Sequence, residues 1–150
     1  MNTDITHRAM SIKSKRFVYG NFHINKSGQS VISRYDNSNG IITNKTWVVD
    51  PKTLGRFIEA YDKKGVTIFE GDEVLHEWER TDCDGVTVRN EHARGYIFYD
   101  VESQGFKVLL DSSSFLRKRA SINMFEADQW EVKGNINKID TPHYSHIWEN

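Results

Sequence analysis

The run from Asp62 to Trp78 constrains this chain more than any other stretch. Asp62-Lys63-Lys64-Gly65 has the chemistry of a tight turn. Gly65 can take the positive φ that closes such a turn, and an Asp at its start can accept hydrogen bonds from the backbone that follows. Ile68-Phe69 opens an extended run, Gly71-Asp72 interrupts it, and Val74, His76 and Trp78 then alternate with Glu73, Leu75 and Glu77. Period-two alternation is the mark of a strand with one face inward, and a glycine set into it signals a bulge or a corner. A chain that turns, bends and re-enters a sheet over so short a distance is committed to short antiparallel strands.

The same grammar recurs on both sides. Ser14–Asn25, a turn at Lys26-Ser27-Gly28-Gln29 and Ser30–Tyr35 read as a β-hairpin, followed by a turn cluster at 36–40 and extended structure from Ile41. Trp47-Val48-Val49 reads as a short strand. Asp50-Pro51 then has the residues to cap and begin one helical turn, ended by Gly55, before Arg56–Tyr61 returns to a strand. Glu79–Asn90 reads as a polar loop with Asp82-Cys83-Asp84-Gly85 at its tip. Arg94–Asp100 and Gly105–Leu110 form the clearest hairpin, with Tyr96 and Phe98 expected to meet Phe106, Val108 and Leu110 in the core. Met124-Phe125 and Gln129–Val132 read as extended. Residues 1–13 lack periodicity and read as a mobile N-terminal tail, and residues 137–150 as a C-terminal tail, leaving one domain over 14–136. The fold class is all-β: a small SH3-like barrel at about residues 66–136, with the N-terminal β-rich segment packed as a second layer or subdomain.

Three motifs carry a family resemblance. Asp62 to Val74 fits the pattern D-x-x-G-x-x-I-[FY]-E-G-D-x-V. Upstream stands Val49-Asp50-Pro51-Lys52-Thr53-Leu54-Gly55, and near the end Glu131-Val132-Lys133-Gly134-Asn135-Ile136. In this order they resemble the signature of the YopX family of small phage and prophage proteins, over roughly Lys15 to Ile136. After Ile136 the chain departs from the family, lacking its usual Y-E-N-P. The resemblance implies an all-β fold and a phage or prophage origin, hence the cytoplasm of a bacterial host. It implies no particular chemistry, since the family has no established activity. Asp62, Gly65, Ile68, Glu70, Gly71, Asp72, Val74, Gly134 and Asn135, which carry the match, read as structural residues.

Composition narrows the function classes. A chain of 150 residues is long enough for one domain that removes roughly two-thirds of its unfolded surface from water. Its 8 Phe, 6 Tyr and 4 Trp favour strands. The 1 Cys, Cys83, rules out an internal disulfide framework and fits a reducing compartment. No apolar run approaches the ~20 residues of a membrane-spanning helix, and the first residues have no apolar signal core, so a cytoplasmic protein is expected. The net charge of −1 is unevenly spread. Residues 1–50 hold seven Lys/Arg against three Asp/Glu, and residues 51–100 hold seven against eleven. Neither part has the strong basic bias of a dedicated nucleic-acid binder.

The carboxylates Glu70, Asp72, Glu73, Glu77, Glu79, Asp82 and Asp84 raise a metal or acid–base reading. A solvated strand face plus turn caps explains them more simply. His143 and His146 have helical spacing for two metal ligands but no third, His76 reads as a boundary residue of a strand, and Cys83 among acids is a poor nucleophile. No cofactor, metal or catalytic residue is expected, and the chain reads as a non-enzyme. Two binding readings remain. The first is a protein-interaction face, with Glu73, Glu77, Glu79 and Tyr99 as its candidates, a host or phage protein as its partner, and a homo-oligomer open through exposed sheet edges. The alternative is a nucleic-acid contact through Lys15, Arg16, Arg117, Lys118 and Arg119.

Overall fold

The computed structural model describes residues 5–111 and 124–139 of the chain, the side chains of 124–126 excepted. These residues are all-β, as expected, and form two antiparallel sheets. The first contains β1 (His7–Ser11), β2 (Phe17–Ile24), β3 (Ser30–Ser38), β4 (Ile41–Tyr61) and β5 (Thr67–Phe69), in that order. β1 also pairs with β4, so this sheet is partly closed into a ring. The second contains β6 (Asp72–Thr81), β7 (Val88–Asp100), β8 (Gly105–Leu110) and β9 (Glu131–Asn135), in the order β8-β7-β6-β9. The plan of a barrel-like layer and a second layer therefore holds with the parts exchanged. The ring lies in the N-terminal half, and the sheet over residues 72–135 is open among the described residues.

The ring closes because two strands change partners part-way along. β2 pairs with β1 through Phe17–Gly20 and with β3 through Asn21–Ile24. β4 pairs with β3 through Ile41–Val48 and with β1 from Val49 to Arg56. Gly20 stands where β2 changes over, and a Cβ there would lie 2.2 Å from the Ser33 carbonyl oxygen. Only glycine lets the backbones approach so closely. β4 makes its change with a bulge. Arg8 faces Gly55 but Met10 faces Asp50, so residues 51–54 loop out of the ladder. Thr53 Oγ1 donates to Asp50 O (2.7 Å) and accepts from Met10 N (2.8 Å), while Asp50 Oδ1 accepts from Lys52 N (3.0 Å). The expected helical turn at Asp50-Pro51 is thus a bulge in one continuous strand. Pro51, lacking an N–H, sits where the ladder needs none. Gly55 does not end a helix; a Cβ there would meet Glu70 O at 2.4 Å.

Three more expectations are corrected. Residues 7–11 are no tail: β1 lies between β2 and β4, with Ile5, Arg8, Ala9 and Ser11 buried. Its signal was hidden because a strand paired on both edges inside a ring buries residues on both faces, a charge among them. In the β7–β8 hairpin, Ile97 faces Val108 and Tyr99 faces Phe106, so Ala93, Ile97 and Tyr99 share the core row with Val108 while Tyr96 and Phe98 look outward. The segment is apolar on both faces, and a one-residue slip exchanges them. Met124–Gln129 forms a 3₁₀ helix rather than a strand. The chain is also ordered beyond 136: the Asn135 side chain donates to Ile139 O (2.7 Å) and accepts from Ile139 N (3.1 Å).

A buried ion pair joins the sheets. Arg8 Nη2 of β1 lies 2.6 Å from Asp72 Oδ1 at the start of β6, both side chains buried, and Asp72 Oδ2 accepts from Phe69 N (2.8 Å). The Arg8 guanidinium stands over the rings of Phe17 (4.3 Å) and Phe69 (5.0 Å). Burial pushes the Asp72 carboxyl above its ordinary value, while Arg8 and the Phe69 N–H pull it back. Gly71 makes the approach with φ +91°, its N–H donating to Ile97 O (2.9 Å) and its carbonyl accepting from Ile136 N (2.7 Å).

Gly20→Val is expected to destabilise the fold by about 3 kcal/mol, read by urea unfolding, because backbone and not a yielding side chain occupies the space. Arg8→Ala should cost about 3–5 kcal/mol by leaving the Asp72 carboxylate buried alone. Arg8→Met combined with Asp72→Asn should recover most of that loss, since asparagine still accepts from Phe69 N. Additive losses in this pair would show that the two residues do not act together.

Candidate functional site

The residues of the Asp62–Val74 motif build the frame on which any surface site rests. Asp62 Oδ1 accepts from Lys64 N and Val66 N (both 2.8 Å), and its Oδ2 accepts from Val132 N (2.9 Å) of β9. Gly65 closes this turn with φ +78°. Ile68 and Val74 enter the core with Ile97, Val108 and Trp130. Glu70 pairs with Arg56 (3.2 Å), and Gly134 lies opposite Glu73 in the β6–β9 ladder. Beside the turn, Glu131 collects Lys64 (2.7 Å), Lys133 (3.1 Å) and Lys63 (3.5 Å). Hydrogen bonds from Lys64 and Lys133 lower its carboxyl to about 2.

The second sheet presents an outer face whose rows follow from the register. Glu73 lies opposite Tyr96, which lies opposite Leu109; Leu75 lies opposite Arg94, Glu77 opposite His92, and Glu79 opposite Asn90. Strand alternation therefore brings Glu73, Glu77 and Glu79 together, as the sequence implies, and adds Leu75, Tyr96, Phe98 and Leu109, which it did not single out. Phe98 and Leu109 are exposed. Glu73 is engaged by Arg94 (3.6 Å) and Tyr96, whose hydroxyl it pushes above its ordinary value by hydrogen bonding. Glu77 and Glu79 are exposed and make no ion pair among the described residues. Tyr99 does not belong to this face. It points inward, edge-on to Phe106 (5.3 Å) beneath the Arg56 guanidinium (4.2 Å), because it stands an odd number of residues from Tyr96.

The other carboxylates have structural employment. Asp82 pairs with Arg89 (2.7 Å) and Arg80 (3.1 Å) across the β6–β7 hairpin, which stays paired out to Thr81 and Val88 and so shortens the expected polar loop to 82–87. Asp84 accepts from Val86 N and Thr87 N (both 2.8 Å), and with the Thr87 hydroxyl these bonds bring its carboxyl to about 2. Cys83 is exposed at the same tip. Among the described residues no group of three His, Cys, Asp or Glu side chains is placed to hold a metal ion. His76 is a boundary residue, its Nδ1 2.9 Å from Gln129 O and its ring stacked on Trp78. Trp47 is half-buried beneath Arg34. Lys15 and Arg16 are exposed in the β1–β2 turn, where Lys15 has φ +61°. Arg117, Lys118, Arg119, His143, His146 and Trp148 lie outside the described residues.

No family model, curated protein or solved structure matches this chain.

The Glu131 cluster gives a pH prediction. A carboxyl depressed on folding stabilises the fold fully above its unfolded value near 4.5 and ceases to do so as pH falls through about 2. Unfolding free energy should therefore decline between these limits, and Glu131→Gln should flatten that part of the profile. An unchanged profile in the variant would remove the cluster from the acid response.

Proposed function

We propose that this chain is a YopX-type phage or prophage accessory protein that works by binding another protein, without catalysing a reaction, through the outer face of its second sheet. One observation supports this above the others. On a rigid antiparallel sheet, Phe98 and Leu109 stand exposed beside Tyr96, while Glu77 and Glu79 border the other end of the same face. An apolar centre with aromatic anchors and a polar border is the anatomy of a protein interface. The acidic border works against a phosphate backbone, and Lys15 and Arg16 belong to a different sheet. Glu70, Asp72, Asp82 and Asp84 are held in ion pairs and turn caps.

The test is capture of partners from bacterial lysate by the tagged full-length protein, with and without nuclease, followed by mass spectrometry. A protein partner is expected to survive nuclease and to be lost on Phe98→Glu or on the triple change Glu73→Gln, Glu77→Gln, Glu79→Gln, with the thermal midpoint unchanged. Capture abolished by nuclease would move the function to nucleic acid. Partners retained by both variants would remove this face from the reading.

A further inference from the structure

Beyond Ser33 and Thr46, β3 and β4 continue as a two-stranded arm paired out to Ser38 and Ile41. Its tip is a two-residue turn in which Asn39 (φ +54°) and Gly40 (φ +80°) are both left-handed. Asparagine and glycine bear that conformation best, and the turn they make has a twist that matches its strands. Both residues are exposed, and the Asn39 side chain makes no hydrogen bond among the described residues.

Asparagine is a chemically labile side chain, because its Cγ amide can be attacked by the main-chain nitrogen of the next residue. The attack is favoured when no side chain on that next residue stands in the way, when its nitrogen is not held in a hydrogen bond, and when the Cγ amide is itself unheld. Gly40 has no Cβ, and nothing lies within 4 Å of where one would be. The amide between the two residues of a two-residue hairpin lies outside the ladder. Asn39 is followed by glycine, and no other asparagine of the chain is.

We propose that Asn39 is a modification site, at which the folded protein deamidates spontaneously to a mixture of aspartate and isoaspartate. Gly40 N bonds to Asn39 Cγ, the Cγ–Nδ2 bond breaks, and ammonia leaves with the proton that the nitrogen gives up. Water then opens the resulting succinimide. Opening at Cγ returns the ordinary main chain with Asp at 39. Opening at the main-chain carbonyl leaves the chain running through the side chain. Aspartate suits the turn as asparagine does. Isoaspartate adds a methylene to a turn whose two-residue length sets the pairing of Ser38 with Ile41.

The structure withholds the same chemistry from its neighbours in kind. Asp84-Gly85 is the other Asx-Gly pair. There the carboxylate accepts from Val86 N, Thr87 N and the Thr87 hydroxyl, and these bonds keep it ionised and a poor electrophile. The Asn25 side chain is held by Ser27 N, Gln29 N and the Gln29 side chain, and that of Asn135 by both main-chain groups of Ile139. Asn37, Asn44 and Asn90 lie inside paired strands. The nitrogen that follows Asn137 is engaged, since Lys138 N donates to Asn135 O (3.0 Å).

The test holds the full-length protein at mildly alkaline pH and body temperature, then digests timed samples for mass spectrometry. The peptide containing residue 39 is expected to take on the mass change of NH₂ to OH and to divide into aspartate and isoaspartate forms, told apart by electron-transfer fragmentation. Conversion there should run at least about ten-fold faster than at any other described asparagine, and Asp84 should not isomerise. Asn39→Gln should abolish the change in that peptide, because its longer side chain disfavours the ring. An amide retained at 39 in the folded protein while the urea-unfolded chain loses it would overturn the proposal, as the turn would then protect the site. Mass gain that persists in Asn39→Gln, or equal conversion at Asp84 or at the other asparagines, would overturn it too.

Discussion

The Arg8–Asp72 pair is the constraint on which the two-sheet arrangement depends. Taking both charges out of water costs several kcal/mol per ion before their attraction returns anything. The pair is therefore tolerable only where geometry is fully met, and meeting it requires several things at once. β1 must be seated between β2 and β4 to bring Arg8 inward. Gly71 must take its positive φ so that Asp72 can reach both Arg8 and the Phe69 N–H. The rings of Phe17 and Phe69 must lie under the guanidinium, whose Nε has no acceptor of its own among the described residues. Closure of the ring and attachment of the second sheet are thereby one event.

This explains which parts of the fold were legible in the sequence. The Asp62–Val74 motif could be read because its demands are local: a turn that needs Gly65, a carboxylate that captures nearby N–H groups, a glycine at a bend. The partner of that motif could not. Arg8 lies far away in sequence, in a segment whose alternation is masked because it is buried on both edges, and nothing in Met1–Lys13 announces that a charge will be matched at Asp72. Gly20 and Gly55 illustrate the same limit. Each is needed because a distant carbonyl, of Ser33 or Glu70, comes within about 2.5 Å of where a Cβ would be, and such approaches exist only in the folded chain.

The surface was half legible for a related reason. Period-two alternation correctly gathered Glu73, Glu77 and Glu79, since all three lie on one strand. It could not say which residues of β7 and β8 would join them, because that depends on inter-strand register. Tyr96-Ile97-Phe98-Tyr99 offers an aromatic to either face, and the pairing of Ile97 with Val108 decides between them. Once that pairing is fixed, Tyr99 is drawn under Arg56 and Phe98 is left in solvent. The error in placing Tyr99 and the omission of Phe98 are one event seen from two sides.

Register also governs how charge is distributed over the two sheets. An acid–base or metal site needs several titratable groups converging on one point. Strands instead spread their side chains along rows, two residues apart, with neighbours set by cross-strand pairing. In such rows the charged groups here find each other laterally: Arg34, Asp36 and Lys45 on the arm, Arg80, Asp82 and Arg89 on the second hairpin, and Glu131 among its lysines. Lateral neutralisation consumes the charge of one face and leaves another free of it, and the product is flat strips of distinct character. The row through Tyr35 and Ile42 has no Asp, Glu, Lys or Arg, while the outer row of the second sheet sets Leu109, Tyr96 and Leu75 among Glu73, Arg94, Glu77 and Glu79.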